Sequence, residues 1–198
     1  MISMIYLFGG GGHAKVIADI ILSNNGQIGG VFDKIMDKQV LQWATEEYPG
    51  NFNIVTDELI LSIGNNLTRK AWAMEIFANY ATAIHPSAIV SKYVEIGEGT
   101  VVMAGTIINP DTVIGKHCIV NTSASIDHDC VLENYVHLSP NATLCGSVKV
   151  GEATHIGAGA TIIQGINIGK NCIIGAGATI IRDVPDGSKV VGNPGRIL

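Results

Sequence analysis

The sequence predicts a chain in two parts. Residues 1–82 form a small α/β, Rossmann-like unit, and residues 83–198 form a parallel β-helix of hexapeptide repeats with a C-terminal tail. Three observations predict this. Aliphatic residues recur at every sixth position through the second part. A glycine-rich loop in the first part follows an apolar run and leads into helically spaced aliphatics. The composition sets 24 glycines and 47% hydrophobic residues against only 15% charged and 6% aromatic residues in a chain of 198.

Composition narrows the function classes. High hydrophobicity with a net charge of −5 excludes a disordered chain. The longest apolar stretches, such as Val16–Leu22, are broken by Asp19 or by glycine. None reaches the roughly 18 apolar residues of a membrane span. No basic run offers a footprint for nucleic acid. Met1–Leu7 carries no basic residue and does not resemble a signal peptide. The cysteines Cys118, Cys130, Cys145 and Cys172 include no Cys-x-x-Cys pair, which suits reduced thiols. The expectation is a cytoplasmic protein with neither nucleic acid nor membrane as partner.

The period justifies the β-helix. Steps of six from Ile84 through Val90, Ile96 and Val102 to Ile180 meet seventeen positions, all Ile, Val or Leu. Four residues later a second phase carries small or β-branched residues, among them Thr100, Cys118, Ala124, Cys130 and Cys172. Each hexapeptide supplies one short strand and one corner, and three make a triangular coil. The aliphatic fills the prism, and the small residue sits where a larger one would not fit. That places three cysteines in the interior. Seventeen hexapeptides give nearly six coils, a prism about 27 Å tall at the usual strand spacing. Gly97, Gly115, Gly151, Gly157, Gly169 and Gly175, with Pro86, Pro110 and Pro140, are expected at corners, where unusual dihedrals or a fixed φ help the chain bend.

The first part reads β-α-β-β-α. Ser3–Phe8 is a strand, followed by Gly9-Gly10-Gly11-Gly12-His13-Ala14. Val16, Ile17, Ile20 and Ile21 then recur at helical spacing until Asn24-Asn25-Gly26. Ile28–Phe32 is a second strand ending at Asp33, and Leu59–Ile63 a third. A helix over Leu67–Asn79 follows, capped by Asn66 or Thr68. Residues 34–57 carry no assignable pattern. The spacing Gly9-x-Gly11-x-x-Ala14, with Asp33 some way on, fits a phosphate-binding loop and a ribose-binding acid. Residues 1–82 hold only half of a dinucleotide domain, so a mononucleotide diphosphate fits better than NAD. A tight turn that needs only glycine geometry is the alternative.

Six histidines are the candidates for chemistry. His85 and His117 are expected at corners, the second exposed. His128 lies between Asp127 and Asp129, and a neighbouring carboxylate makes a histidine a better general base. His137 and His155 are three hexapeptides apart, hence stacked on successive coils. Gly146 stacks one coil after His128, leaving room beside it and offering a backbone N–H. No close histidine pair of the kind that holds zinc on one coil occurs, so no metal is expected.

Gly10-Gly11-Gly12-His13-Ala14, Ser62-Ile63-Gly64-Asn65-Asn66, Ile84-His85-Pro86-Ser87-Ala88, Asn121-Thr122 and Asp127-His128-Asp129-Cys130 occur in this order along the chain. The combination resembles the bacterial nucleotide-sugar N-acetyltransferases of the bacillosamine and related amino-sugar pathways, whose architecture the sialic acid O-acetyltransferases share. The resemblance implies a left-handed β-helix, a homotrimer with sites between neighbouring prisms, and acetyl-CoA as co-substrate without a metal. It implies that His128 is the base and Asp129 the acid behind it. It puts His137, Asn121 and Gly146, the turns Gly157-Ala158 and Gly175-Ala176, and Pro194 in the tail on the acetyl-CoA side. It puts Gly11, Gly12, His13, Asp33, Lys34 and Gly64 on the side of a nucleotide-activated amino sugar. Lys34 departs from a second acid found in some members, which leaves the base open.

The implied reaction is direct N-acetylation of the 4-amino group of a nucleotide-linked 4-amino-4,6-dideoxysugar. Two alternatives stand beside it: O-acetylation of sialic acid or a related sugar, and a non-catalytic nucleotide-sugar-binding protein.

Overall fold

The structure, a computed structural model, describes residues 4–36, 38–50 and 57–198. The start of the first expected strand and residues 51–56 of the unassigned stretch lie outside the described residues. The N-terminal unit is a five-stranded sheet in the order β3-β4-β2-β1-β5: Gln39–Val40, Trp43–Glu46, Ile28–Phe32, Ile5–Phe8 and Glu58–Leu61. All pairings are parallel except the β3–β4 hairpin, which accounts for part of the stretch without a clear pattern.

Helix α1 (Gly12–Ser23) buries Ala14, Ile17, Ala18, Ile20 and Ile21 against the sheet. Just past its end, Asn24 Nδ2 donates to Ile20 O at 3.0 Å and to Ile84 O at 2.8 Å, tying the helix to the first coil of the prism. Helix α2 (Asn66–Glu75) is capped by Asn65, whose side chain accepts from the Thr68 N–H at 2.9 Å. The expected caps have other roles: Asn66 is the first helical residue and donates to the prism carbonyls of Ala153 and Thr154, and Thr68 supplies the capped N–H.

The prism consists of two-residue strands, from β6 (Ala83–Ile84) to β22 (Thr179–Ile180). Strands on successive coils pair in parallel and in register, which builds three faces. The second residue of each strand points inward, and these are the aliphatics of the six-residue period. They form one core with the small phase, including Cys118, Cys130 and Cys172. Coiling continues past the periodic run. Val184 bridges Ile168, and β23 (Lys189–Val191) pairs with β21 (Ile173–Ile174) before folding back antiparallel onto β24 (Arg196–Ile197).

The corners follow a rule that differs from the expected one. Every sixth residue from Gly99 to Gly177 has a positive φ, between 53° and 72°. Asp111, His117, Ser123, Asp129, Tyr135 and Asn141 share this left-handed set with glycines, and Asp and Asn are tolerated there. The glycines that follow the aliphatics answer a different need. A Cβ on Gly97 would lie 2.7 Å from the Gly115 carbonyl carbon, and one on Gly151 would lie 2.6 Å from that of Gly169. They permit close coil stacking, while the bend is made two residues later. Pro86, Pro110 and Pro140 do lie in turns.

The two parts share a core. Leu7, Ile17 and Ile60 of the N-terminal unit pack with Ala83, Val101, Met103 and Ile119 of the first face. No helix among the described residues is long and apolar enough to cross a membrane.

Candidate active site

The site residues fall in three places. The first is the loop between β1 and α1. Gly9 has φ +113°, open to glycine alone, and a Cβ there would press into Ile63 Cγ1 at 2.8 Å. A Cβ on Gly10 would collide with Thr45 Cγ2. Gly11 and Gly12 are exposed with open space beside them, so their N–H groups can reach a ligand at the helix N-terminus. The Gly10 N–H donates to Asp33 Oδ2 at 2.6 Å, and Lys38 Nζ meets the same oxygen at 3.0 Å. Asp33 Oδ1 accepts from the Ile35 N–H at 2.9 Å. Burial works to raise the Asp33 pKa, but the amides of Ile35 and Gly10 and the Lys38 ammonium outweigh it, and the carboxyl lies below the usual range.

Asp33 thus braces the loop through Oδ2, while Oδ1 fixes its own turn at Ile35. Lys38 and Thr45, which sequence reasoning did not single out, belong to this brace. Beside it Phe8, Asp33, Lys34, Tyr48 and Trp72 line a cleft of about 510 Å³. Lys34 Nζ rests 4.4 Å from the centre of the Trp72 ring.

The second place is the corner between the second and third faces. His128 Nδ1 and Asp129 Oδ2 are 2.7 Å apart. Asp127 Oδ1 accepts from the His128 N–H and from Asn109 Nδ2, both at 2.9 Å. The hydrogen bond to Asp129, and then the charge on Asp127, raise the His128 pKa. His128 and Asp129 side chains are 57% and 58% exposed, so the pair is open to a reactant. Asp129 occupies a left-handed corner with φ 59°, which aims its carboxylate back at the preceding ring. Gly146 lies over His128: a Cβ there would come within 2.7 Å of Cε1 and 2.9 Å of Nε2.

The third place is the first face, under the N-terminal unit. His137 and His155 occupy equivalent positions of paired strands, with ring centroids 4.7 Å apart. His137 Nε2 lies 3.2 Å from Asn121 Nδ2, and His155 Nε2 lies 2.9 Å from Ser139 Oγ. Burial, then the charges of His155 and Arg69, push His137 down to about 3. Burial, then Arg69, push His13 down to about 4. These rings are neutral at physiological pH. His13 Nε2 and His137 Nδ1 are buried without a hydrogen-bond partner among the described residues. Asn121, Ser139, Gly157 and Gly175 form one ladder on the next corner. The glycines there serve stacking, since a Cβ on Gly157 would lie 2.6 Å from the Ala176 nitrogen. Ala158 and Ala176 are exposed beside them, and Pro194 lies beyond β23 in the tail.

His117 corrects an expectation. It is a corner residue but only 4% exposed, held between Tyr80 (centroids 4.5 Å apart) and Tyr135 (5.4 Å). The N-terminal unit covers it, and a six-residue period carries no trace of that cover. Among the described residues no group of three His, Cys, Asp or Glu side chains could hold a metal ion.

His13 and Gly64 lie by His137, which Asn121 meets, all within one chain, whereas His128 stands at a corner away from that face. Residues 4–76 match the family model of the PglD N-terminal domain, and residues 147–182 match the six-repeat bacterial transferase hexapeptide model. A histidine variant of perosamine N-acetyltransferase from Caulobacter crescentus, solved with CoA and GDP-perosamine, superposes with a TM-score of 0.94. It is 35% identical, over 100% of this chain and 98% of that one. The chain belongs to the nucleotide-sugar N-acetyltransferases. Another acyltransferase of this architecture is the acetyltransferase domain of PglB from Neisseria gonorrhoeae FA1090, solved with acetyl coenzyme A. Its TM-score is 0.92 at 32% identity, with both chains covered completely. UDP-N-acetylbacillosamine N-acetyltransferase of Bacillus subtilis (strain 168) is 42% identical over 113 residues, 50% of this chain. That match spans about half of the relative's length, at 51%.

Proposed function

We propose that this N-acetyltransferase carries the acetyl group of acetyl-CoA to the 4-amino group of a nucleotide-linked 4-amino-4,6-dideoxysugar, by direct transfer in the cytoplasm. The observation that carries the reading is the His128–Asp129 pair at an open corner beside Gly146. With Nδ1 donating to Asp129, Nε2 keeps its lone pair and lies beside Gly146. The sugar nitrogen attacks the thioester carbonyl, and His128 Nε2 takes the proton that nitrogen sheds. The tetrahedral oxyanion needs a donor, and the Gly146 N–H lies on the corner beside the histidine. Collapse breaks the C–S bond, and the proton passes from His128 to the departing CoA sulfur. The products are the amide and the free thiol, with no acyl-enzyme.

Gly11, Gly12, His13 and Gly64 suit the nucleotide diphosphate, and the cleft by Lys34 and Asp33 suits the nucleoside. His137, Asn121 and the turns at Ala158 and Ala176 suit the acetyl-CoA arm, with Pro194 at its far end. Because His128 stands at a corner and His137 on the first face, a homotrimer that sets one prism against the next supplies a complete site. The N-terminal loop favours a nucleotide-linked acceptor over free sialic acid.

The test is a screen of UDP-, dTDP- and GDP-linked 4-amino sugars and sialic acid with acetyl-CoA, read by thiol release. Transfer to a nucleotide amino sugar that disappears in His128→Ala is the expected result. Transfer only to sialic acid, or tight nucleotide-sugar binding without thiol release, would replace this reading with one of its rivals.

A further inference from the structure

Arg69, on α2, is 1% exposed and has no carboxylate partner among the described residues. Its guanidinium is satisfied almost wholly by backbone carbonyls. Nε donates to His117 O at 2.8 Å and Nη2 to Tyr135 O at 2.9 Å. Nη1 donates to Ile63 O at 2.9 Å and Gly64 O at 3.3 Å. Nη2 also reaches Asn66 Oδ1 at 3.0 Å, and Asn66 Nδ2 donates to Ala153 O at 3.0 Å.

The pattern has an order. His117, Tyr135 and Ala153 are equivalent corners of three successive coils, all with positive φ. Arg69 takes the first two carbonyls, Asn66 takes the third, and the two side chains are bonded to each other. Helix α2 is thereby pinned in register along the prism axis. The other side of the guanidinium holds the loop between β5 and α2. That loop touches the glycine-rich loop directly: Ser62 Oγ donates to Gly9 O at 2.6 Å, and Ile63 packs against Gly9. Gly64 in turn lies against His137.

A buried charge without a counter-charge is expensive, and a neutral side chain would dock a helix at lower cost. What arginine alone supplies is a planar fork of five donors with fixed angles. We infer that Arg69, seconded by Asn66, is a positioning residue that fixes the acceptor-binding loops of the N-terminal unit against the acetyl-transferring prism. The inference rests on the proposed use of those loops for a nucleotide sugar. Arg69 touches neither the reacting atoms nor the exposed Gly11–Gly12 turn, so its effect falls on where the acceptor sits.

The experiment compares the full-length wild type with Arg69→Lys and Asn66→Ala. Lysine keeps the charge but places one nitrogen where three acted. KM for the nucleotide-linked amino sugar is expected to rise about tenfold or more in Arg69→Lys, the scale of a small misplacement, with KM for acetyl-CoA nearly unchanged. Asn66→Ala, which loses one rung, shifts the same parameter less. Hydrogen exchange gives a reading that needs no substrate. Amides of residues 9–12 and 62–64 are expected to exchange faster in both variants, while the prism strands keep their protection. Uniformly faster exchange, unchanged loop exchange, or equal rises in both KM values would overturn the inference. If Arg69→Lys does not fold, Asn66→Ala decides by the same pattern. If the wild type acetylates no nucleotide amino sugar, the proposed function falls, and loop exchange still decides the role of Arg69.

Discussion

His128 and Gly146 are neighbours across one coil, and the histidine ring occupies the space where a Cβ on residue 146 would project, 2.7 Å from Cε1. Gly146 is not among the positive-φ glycines, so alanine is compatible with its backbone. Gly146→Ala should displace the ring rather than unfold the chain. Activity is expected to fall about a hundredfold, the scale of a misplaced catalytic group, with the melting temperature nearly unchanged. Steady-state kinetics beside a thermal melt check this.

Asp129→Asn removes the charge behind His128 while suiting the left-handed corner, a backbone conformation that asparagine tolerates. The hydrogen bond to Asp129 is the largest influence raising the His128 pKa. Asparagine keeps only a neutral acceptor there, which weakens that bond and lowers the pKa, so the acid limb of the kcat/KM profile should move to lower pH. A weaker base also lowers the plateau, by roughly 10- to 100-fold. An acid limb that stays in place or moves to higher pH would remove Asp129 from this role.

Buried histidines make stability depend on pH. Burial and the Arg69 charge bring His13 and His117 to about 4, and burial, His155 and Arg69 bring His137 to about 3. The unfolded chain takes up these protons near pH 6.5, while the folded chain refuses them until lower pH. Stability from these groups is therefore full above about pH 6.5 and declines as pH falls towards 4 and then 3. Each contributes up to ~1.4 kcal/mol per pH unit within its window. Denaturant melts from pH 7.5 to 4.5 should show the decline, with a shallower slope in His117→Asn.

The thiols should divide. Burial pushes Cys118 up to about 12 and Cys130 up to about 11, and Cys172 is also buried, whereas Cys145 is only partly covered. An aromatic disulfide reagent is expected to label one thiol in the native protein and four after unfolding. Cys145→Ser should retain turnover, because direct transfer needs no thiol nucleophile. Accumulation of an acetylated cysteine would contradict this.

Stacking glycines should be sensitive away from any ligand. Gly151→Ala would place a Cβ 2.6 Å from the Gly169 carbonyl carbon, in backbone that has no room to yield. A loss of about 1–3 kcal/mol is expected from such overpacking, read by denaturant unfolding.

The order of residues is enough to specify the prism, because its interior repeats with the geometry that fills it. A strand, a corner and an inward aliphatic every six residues leave a mark at every coil, from Ile84 to Ile180. The His128–Asp129 pair and the placing of Gly146 are legible for the same reason, since neighbours across coils are three hexapeptides apart. The glycine-rich loop is marked by residues that only a tight turn requires. What crosses between the two parts emerges only on folding. The burial of His117 and the prism carbonyls that Arg69 and Asn66 reach come from docking an α/β unit on one face. Docking contacts have no period, and the prism carbonyls that Arg69 and Asn66 reach lie 48 to 88 residues away with nothing local to announce them. The period gives His128 and His137 their phases, but only the folded chain shows that one stands at an open corner and the other on a face under the N-terminal unit.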